Sequence, residues 1–86
     1  MLQMIATVGP REAMDWIADI FEEPKSAISS TTRRTDIAGW DSLGQLILMA
    51  ALDQRFSIRL SRDELSSLDS VQDILTVLGK YGVLHP

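Results

Sequence analysis

Gly39-Trp40-Asp41-Ser42-Leu43-Gly44-Gln45-Leu46-Ile47-Leu48-Met49-Ala50-Ala51-Leu52-Asp53-Gln54-Arg55-Phe56 is the stretch whose reading decides the fold. Apolar residues recur through it at helical rather than alternating spacing, so it reads as a helix. Asp41 suits the position just before the first turn, where a carboxylate can accept a hydrogen bond from a free backbone N–H. On a wheel of about 100° per residue, Gln45, Leu48, Met49, Ala51, Leu52, Arg55 and Phe56 fall on one side. Leu43, Leu46, Ile47, Ala50, Asp53 and Gln54 fall on the other. The first set suffices to face a core. The second leaves Leu43, Leu46 and Ile47 without an obvious burial partner, which points to an apolar face turned toward something outside the chain. Ser42 sits in the first turn, where unpaired N–H groups and the positive end of the helix dipole favour an anion.

Upstream, Gly9-Pro10 opens another helix, because proline at the first helical position loses no hydrogen bond. Ala13, Ile17, Ile20 and Phe21 share a face through Glu22, and Glu12, Asp15, Asp19 and Glu22 lie elsewhere as a solvated acidic surface; Pro24 is the expected stop. Trp16 follows the helical spacing of a core residue. The polar connection Pro24–Gly39 is long for a compact domain, and Ala27, Ile28 and Ile37 are expected to pin it to the core. Within it, Arg33-Arg34 reads as a solvated pair. Downstream, Ser57-Ile58-Arg59-Leu60 is a short extended piece. Ser61-Arg62-Asp63-Glu64 has the spacing of a capping box and opens a short helix containing Leu65. Ser70-Val71-Gln72-Asp73 is a looser version of that signal. It opens a last helix with Val71, Ile74, Leu75 and Leu78 on one face, ended by Gly79 and Gly82. The expectation is an all-α chain of three longer helices, one short helix and a long loop after the first.

Composition narrows the chemistry. The chain has 86 residues, with Lys+Arg 8 against Asp+Glu 12 and a formal charge of -4. That is the size of one small domain, 1–86, too small to enclose a deep active site, so an enzyme is not expected. Without cysteine there is no disulfide framework, thiolate zinc site or cysteine nucleophile. The one histidine, His85, stands next to the last residue, where fraying is expected and no chemistry is assigned. The acidic balance argues against nucleic acid, and no apolar run approaches the roughly 20 residues of a membrane span. Met1–Val8 is apolar but short, with neither a basic leader nor a small-residue cleavage site, so the cytoplasm is the expected compartment. Met4, Met14 and Met49 read as adaptable packing residues. If this chain takes part in chemistry, the reactive group comes from outside the twenty amino acids.

From Asp41 to Leu78 the sequence resembles an acyl carrier protein. The residues that carry the resemblance are Asp41-Ser42-Leu43, Leu46, Leu48, Ala51-Leu52-Asp53, Phe56 and Ile58, the short helix with Leu65, and Ser70-Val71-Gln72-Asp73-Ile74. The first helix and long loop fit the same plan with less specific residues. The resemblance implies a four-helix bundle whose Ser42 hydroxyl receives 4'-phosphopantetheine from coenzyme A. A magnesium-using phosphopantetheinyl transferase attaches it, making a phosphoprotein. The arm's thiol then holds acyl groups as thioesters for delivery to acyl-activating or acyl-transferring enzymes. Asp41 would cap the helix and help the transferase recognise the serine. Leu43, Leu46, Ile47 and Ala50 would form the partner surface. Trp40 stands equally between packing the loop and lining a path for the arm or partner.

Carriers of fatty-acid synthesis are typically rich in acidic residues on this helix. Here Asp41 and Asp53 are the only acids between Asp41 and Arg55, and Gly44, Gln45 and Ile47 stand where acidic or polar residues are more usual. Electrostatic steering by this helix is therefore expected to be weak. Trp40-Asp41-Ser42-Leu43-Gly44 looks more like stand-alone, monomeric carriers from specialised bacterial pathways that activate small acyl, hydroxyacyl or aminoacyl units. A peptidyl or aryl carrier of a nonribosomal peptide assembly is the alternative within that class. A helical interaction module without a prosthetic group is the alternative outside it.

Overall fold

Pro10 begins the first helix as expected, but the chain turns before Pro24 is reached. The computed structural model describes residues 7–85, which form α1 (Pro10–Ile20), α2 (Ser42–Phe56), α3 (Arg62–Ser66) and α4 (Val71–Lys80). Single 3-10 turns at Lys25–Ala27 and Arg34–Asp36 lie in the long first connection. Glu22 takes a left-handed φ of 56°, the Glu23 N–H donates to the Ala18 carbonyl, and the Glu22 N–H donates to that of Asp19. These two bonds satisfy orphan carbonyls at the end of α1, so the helix stops two residues short of the expected Glu22. The same pair of bonds closes α4. Val83 donates to Leu78 and Gly82, at φ 76°, donates to Gly79. Gly82 is thus the terminator, whereas Gly79 lies inside α4 rather than at its end.

The described residues are all-helical apart from two isolated bridges, Val8 with Leu84 and Arg33 with Ser70. Ala13, Ile17 and Ala18 of α1, Leu48, Leu52 and Phe56 of α2, Leu65 of α3, and Val71, Ile74, Leu75 and Leu78 of α4 meet in one buried cluster. Phe21, Trp40, Ile58, Leu68 and Val83 complete it from the connections. Trp16 packs edge-on against Phe56 at 5.2 Å, with the Arg55 guanidinium over both rings. This four-helix arrangement is the one the carrier-protein resemblance implies.

The long connection is pinned by two of the three expected residues. Ile28 and Ile37 are buried, but Ala27 is exposed. The rest of the attachment is polar and was not legible in the sequence. Arg34 donates its N–H to the Asp69 carbonyl (2.8 Å) and Val71 donates to that of Thr32 (2.9 Å), joining the loop to the start of α4. The Arg33 guanidinium pairs with Asp69 at 2.9 Å, and Arg34 Nε donates to the Trp40 carbonyl. The expectation of a solvated arginine pair holds for Arg33, which is exposed even in its ion pair, and is corrected for Arg34, which is half-buried. Both arginines hold the loop, because residues 36 apart in sequence meet there. Residues 83–85 are likewise tied, where fraying was expected for His85. His85 donates its backbone N–H to the Val8 carbonyl, and Val8 donates to Val83. Met4 lies outside the described residues. Met49 and Arg55, placed inward by the wheel, are exposed, since the rim of the inward face opens to solvent.

Candidate functional site

The start of α2 is organised by Asp41. Its backbone is extended, its Oδ1 accepts from the Gly44 N–H at 2.8 Å, and its carbonyl accepts from Gln45 in the first helical turn. Asp41 is therefore the helix cap that its place in the sequence suggested. Ser42 follows as the first helical residue and is exposed. Among the described residues, no hydrogen bond engages its hydroxyl, and the N–H groups of Ser42 and Leu43 have no partner. An exposed hydroxyl thus stands on a fixed turn beside two free donors and the positive end of a 15-residue helix.

Trp40 is only 3% exposed. Its ring stacks on Phe21, with centroids 5.0 Å apart and planes 18° from parallel. Its indole N–H donates to Gln45 Oε1, and Gln45 Nε2 donates to the Leu65 carbonyl of α3. Left above between packing the loop and lining a path for the arm or partner, Trp40 packs: as a candidate partner-facing residue it is corrected to a core residue. Its ring is occupied on one side by Phe21 and at its edge by Gln45, so it presents no surface.

Two glycines allow the loop to cross directly over this turn. A Cβ on Gly44 would lie 1.9 Å from the Gly39 carbonyl oxygen, and one on Gly39 would lie 2.8 Å from that of Phe21. In the sequence Gly44 stood out only as a departure from the acidic pattern. Its steric role shows once the loop is in place, because the contact joins residues that local spacing does not pair.

The outer face of α2 carries Leu43 at 65% exposure, Leu46 at 55% and Ile47 at 44%, with Ala50 exposed beyond them. The four residues expected to form a partner surface therefore share one apolar strip that begins beside Ser42. The two ionic side chains within α2 both have partners. Arg55 meets Glu12 at 2.9 Å, and Asp53 meets Arg59 at 3.3 Å. A groove of about 240 Å³ runs beside Ser42 between Ile20, Phe21 and Glu22 on one side and Leu43 and Ile47 on the other. Its walls are open and hold no enclosed acid–base pair.

Among the described residues there is no cluster of three or more side chains able to hold a metal ion, and no helix long and apolar enough to cross a membrane. Away from this site, α3 carries a carboxylate with a displaced titration. Glu64 is held below the ordinary glutamate range, first by the Ser61 backbone N–H that donates to it, then by the Ser61 hydroxyl, with Lys80 adding attraction. That is the chemistry of the α3 capping box, in which Glu64 also donates its N–H to Ser61 Oγ. No protein-family model matches the chain, and a search of curated proteins gives no match either.

Proposed function

We propose that the chain is a carrier protein, not itself an enzyme, with the Ser42 hydroxyl as the attachment point for 4'-phosphopantetheine. The observation that carries the reading is the exposed, unengaged Ser42 on a capped helix start, at the head of the apolar strip Leu43, Leu46, Ile47 and Ala50. The residues fit such a group. The free N–H donors of Ser42 and Leu43 and the helix dipole would stabilise a phosphodiester on Oγ, and the Asp41 carboxylate is turned to the Gly44 N–H. When attached, the group supplies the thiol that the cysteine-free chain lacks, on which an acyl unit is held as a thioester.

The chain's own residues do the rest. Asp41 fixes the turn that a phosphopantetheinyl transferase must recognise. Leu43, Leu46, Ile47 and Ala50 offer acyl-activating or acyl-transferring enzymes a contact that depends on apolar burial rather than charge. The scarcity of acids on α2, whose Asp53 is already paired with Arg59, supports a partner and pathway distinct from those of general fatty-acid synthesis; a monomer working in the cytoplasm is part of the same proposal. A peptidyl or aryl carrier differs from this reading only in cargo. The apolar strip alone would also serve an interaction module without a prosthetic group.

Intact mass after incubation with coenzyme A, magnesium and a broad-specificity transferase separates these. The carrier reading expects the gain of one phosphopantetheine, absent in Ser42→Ala. No gain with several transferases would overturn it in favour of the module.

A further inference from the structure

Gln45 is the one buried polar side chain among the described residues. A buried amide is costly unless its donor and acceptor are both matched. Here Oε1 accepts from the Trp40 indole and Nε2 donates to the Leu65 carbonyl, which also accepts from the Leu68 N–H. One side chain therefore joins the loop entering Ser42, the first turn of α2 and the end of α3. Trp40 is held from its other sides as well, by the Phe21 ring and, at its carbonyl, by Arg34 Nε. Trp40 and Asp41 are the two residues that lead into Ser42. An apolar side chain at position 45 could fill the same space but would leave the buried Trp40 indole N–H unmatched, so the amide's distinctive contribution is to hold that ring to α3.

We propose that Gln45 is the positioning residue for Ser42. By bridging Trp40 to α3 it fixes the Trp40–Asp41 turn, and so the direction in which the Ser42 hydroxyl is presented to the enzyme that modifies it. The modification part rests on the carrier reading above; the coupling of α3 to the turn does not. The network acts as one unit, because removing either the indole N–H or the amide breaks the same bridge.

The test uses Gln45→Met, of similar shape without hydrogen-bonding groups, Trp40→Phe, and the double variant. Amide hydrogen exchange reads the coupling without any transferase. In Gln45→Met, exchange at Trp40 and Gly44 and at Ser67 and Leu68 should speed up about tenfold, with α1 and the middle of α4 unchanged. Transferase kinetics with coenzyme A read the consequence. At a temperature where every variant is folded by circular dichroism, kcat/KM for Ser42 should fall about tenfold in each single variant and no further in the double.

Exchange that rises equally throughout the chain, or not at all, would overturn the coupling, since a merely stabilising side chain acts on the whole fold. Folded Gln45→Met loaded within twofold of wild type, or single effects that multiply in the double variant, would overturn the positioning role. A wild-type chain that is never loaded refutes the carrier reading, and with it the part played in modification, while the exchange result still decides the coupling.

Discussion

Replacing Gly44 by alanine tests whether the turn at Ser42 is built by close backbone approach. On helical propensity alone Gly44→Ala should stabilise α2, by up to about 1 kcal/mol. The tertiary structure reverses the sign. The added Cβ would stand 1.9 Å from the Gly39 carbonyl oxygen, whereas real contacts of this kind begin near 3.0 Å, so the loop must retreat by more than 1 Å. Gly39 is itself wedged against the Phe21 carbonyl, and its neighbour Trp40 is held by Phe21 and Gln45. Overpacking of this kind costs about 1–3 kcal/mol, and a weakened Trp40–Gln45 bond adds roughly 1 kcal/mol. Set against the helical gain, the net destabilisation is about 1–3 kcal/mol, a fall in Tm of roughly 4–8 °C per kcal/mol for a domain this size.

Gly79→Ala is the internal control. Gly79 also lies in a helix, but nothing is within 4 Å of its Cβ position. It should gain up to about 1 kcal/mol. Thermal melts followed by circular dichroism and urea unfolding followed by tryptophan fluorescence measure both. A Gly44→Ala midpoint at or above wild type would refute the close-approach argument.

Other outcomes follow from the same geometry. Ile47→Glu should change stability by no more than about 1 kcal/mol, because the side chain is already 44% exposed. Leu48→Glu, one residue on and fully buried, should cost several times more in the same urea titration. Glu64 is depressed in the folded state, so its contribution is present above the ordinary glutamate range. That contribution is lost as pH falls through that range and then through the lower folded value. Glu64→Gln should therefore lower stability in the neutral region and converge with wild type at low pH, which flattens the acid limb of its stability–pH curve. An identical acid limb in both proteins would show that the capping box carries no such linkage.

The sequence by itself determined what depends on near neighbours. The helix start at Pro10, the caps at Asp41, Ser61 and Ser70, the buried faces of α2 and α4, and the outward Leu43, Leu46 and Ile47 follow from spacings within one or two turns. Ser42 was legible as a candidate for the same reason, since a serine after a capping aspartate is a local feature. Only the tertiary structure decided the rest. Gln45 gains its role from Leu65, Arg33 from Asp69 and Arg34 from both Asp69 and Trp40. Trp40 is drawn into the core by Phe21, and Gly44 is required only because Gly39 crosses above it. The Gln45–Leu65 and Arg33–Asp69 contacts depend on which surfaces the packing of four helices brings together, and the Gly39–Gly44 contact on how the loop closes over the helix start. Polar partners and steric clearances across such surfaces have no period along the chain.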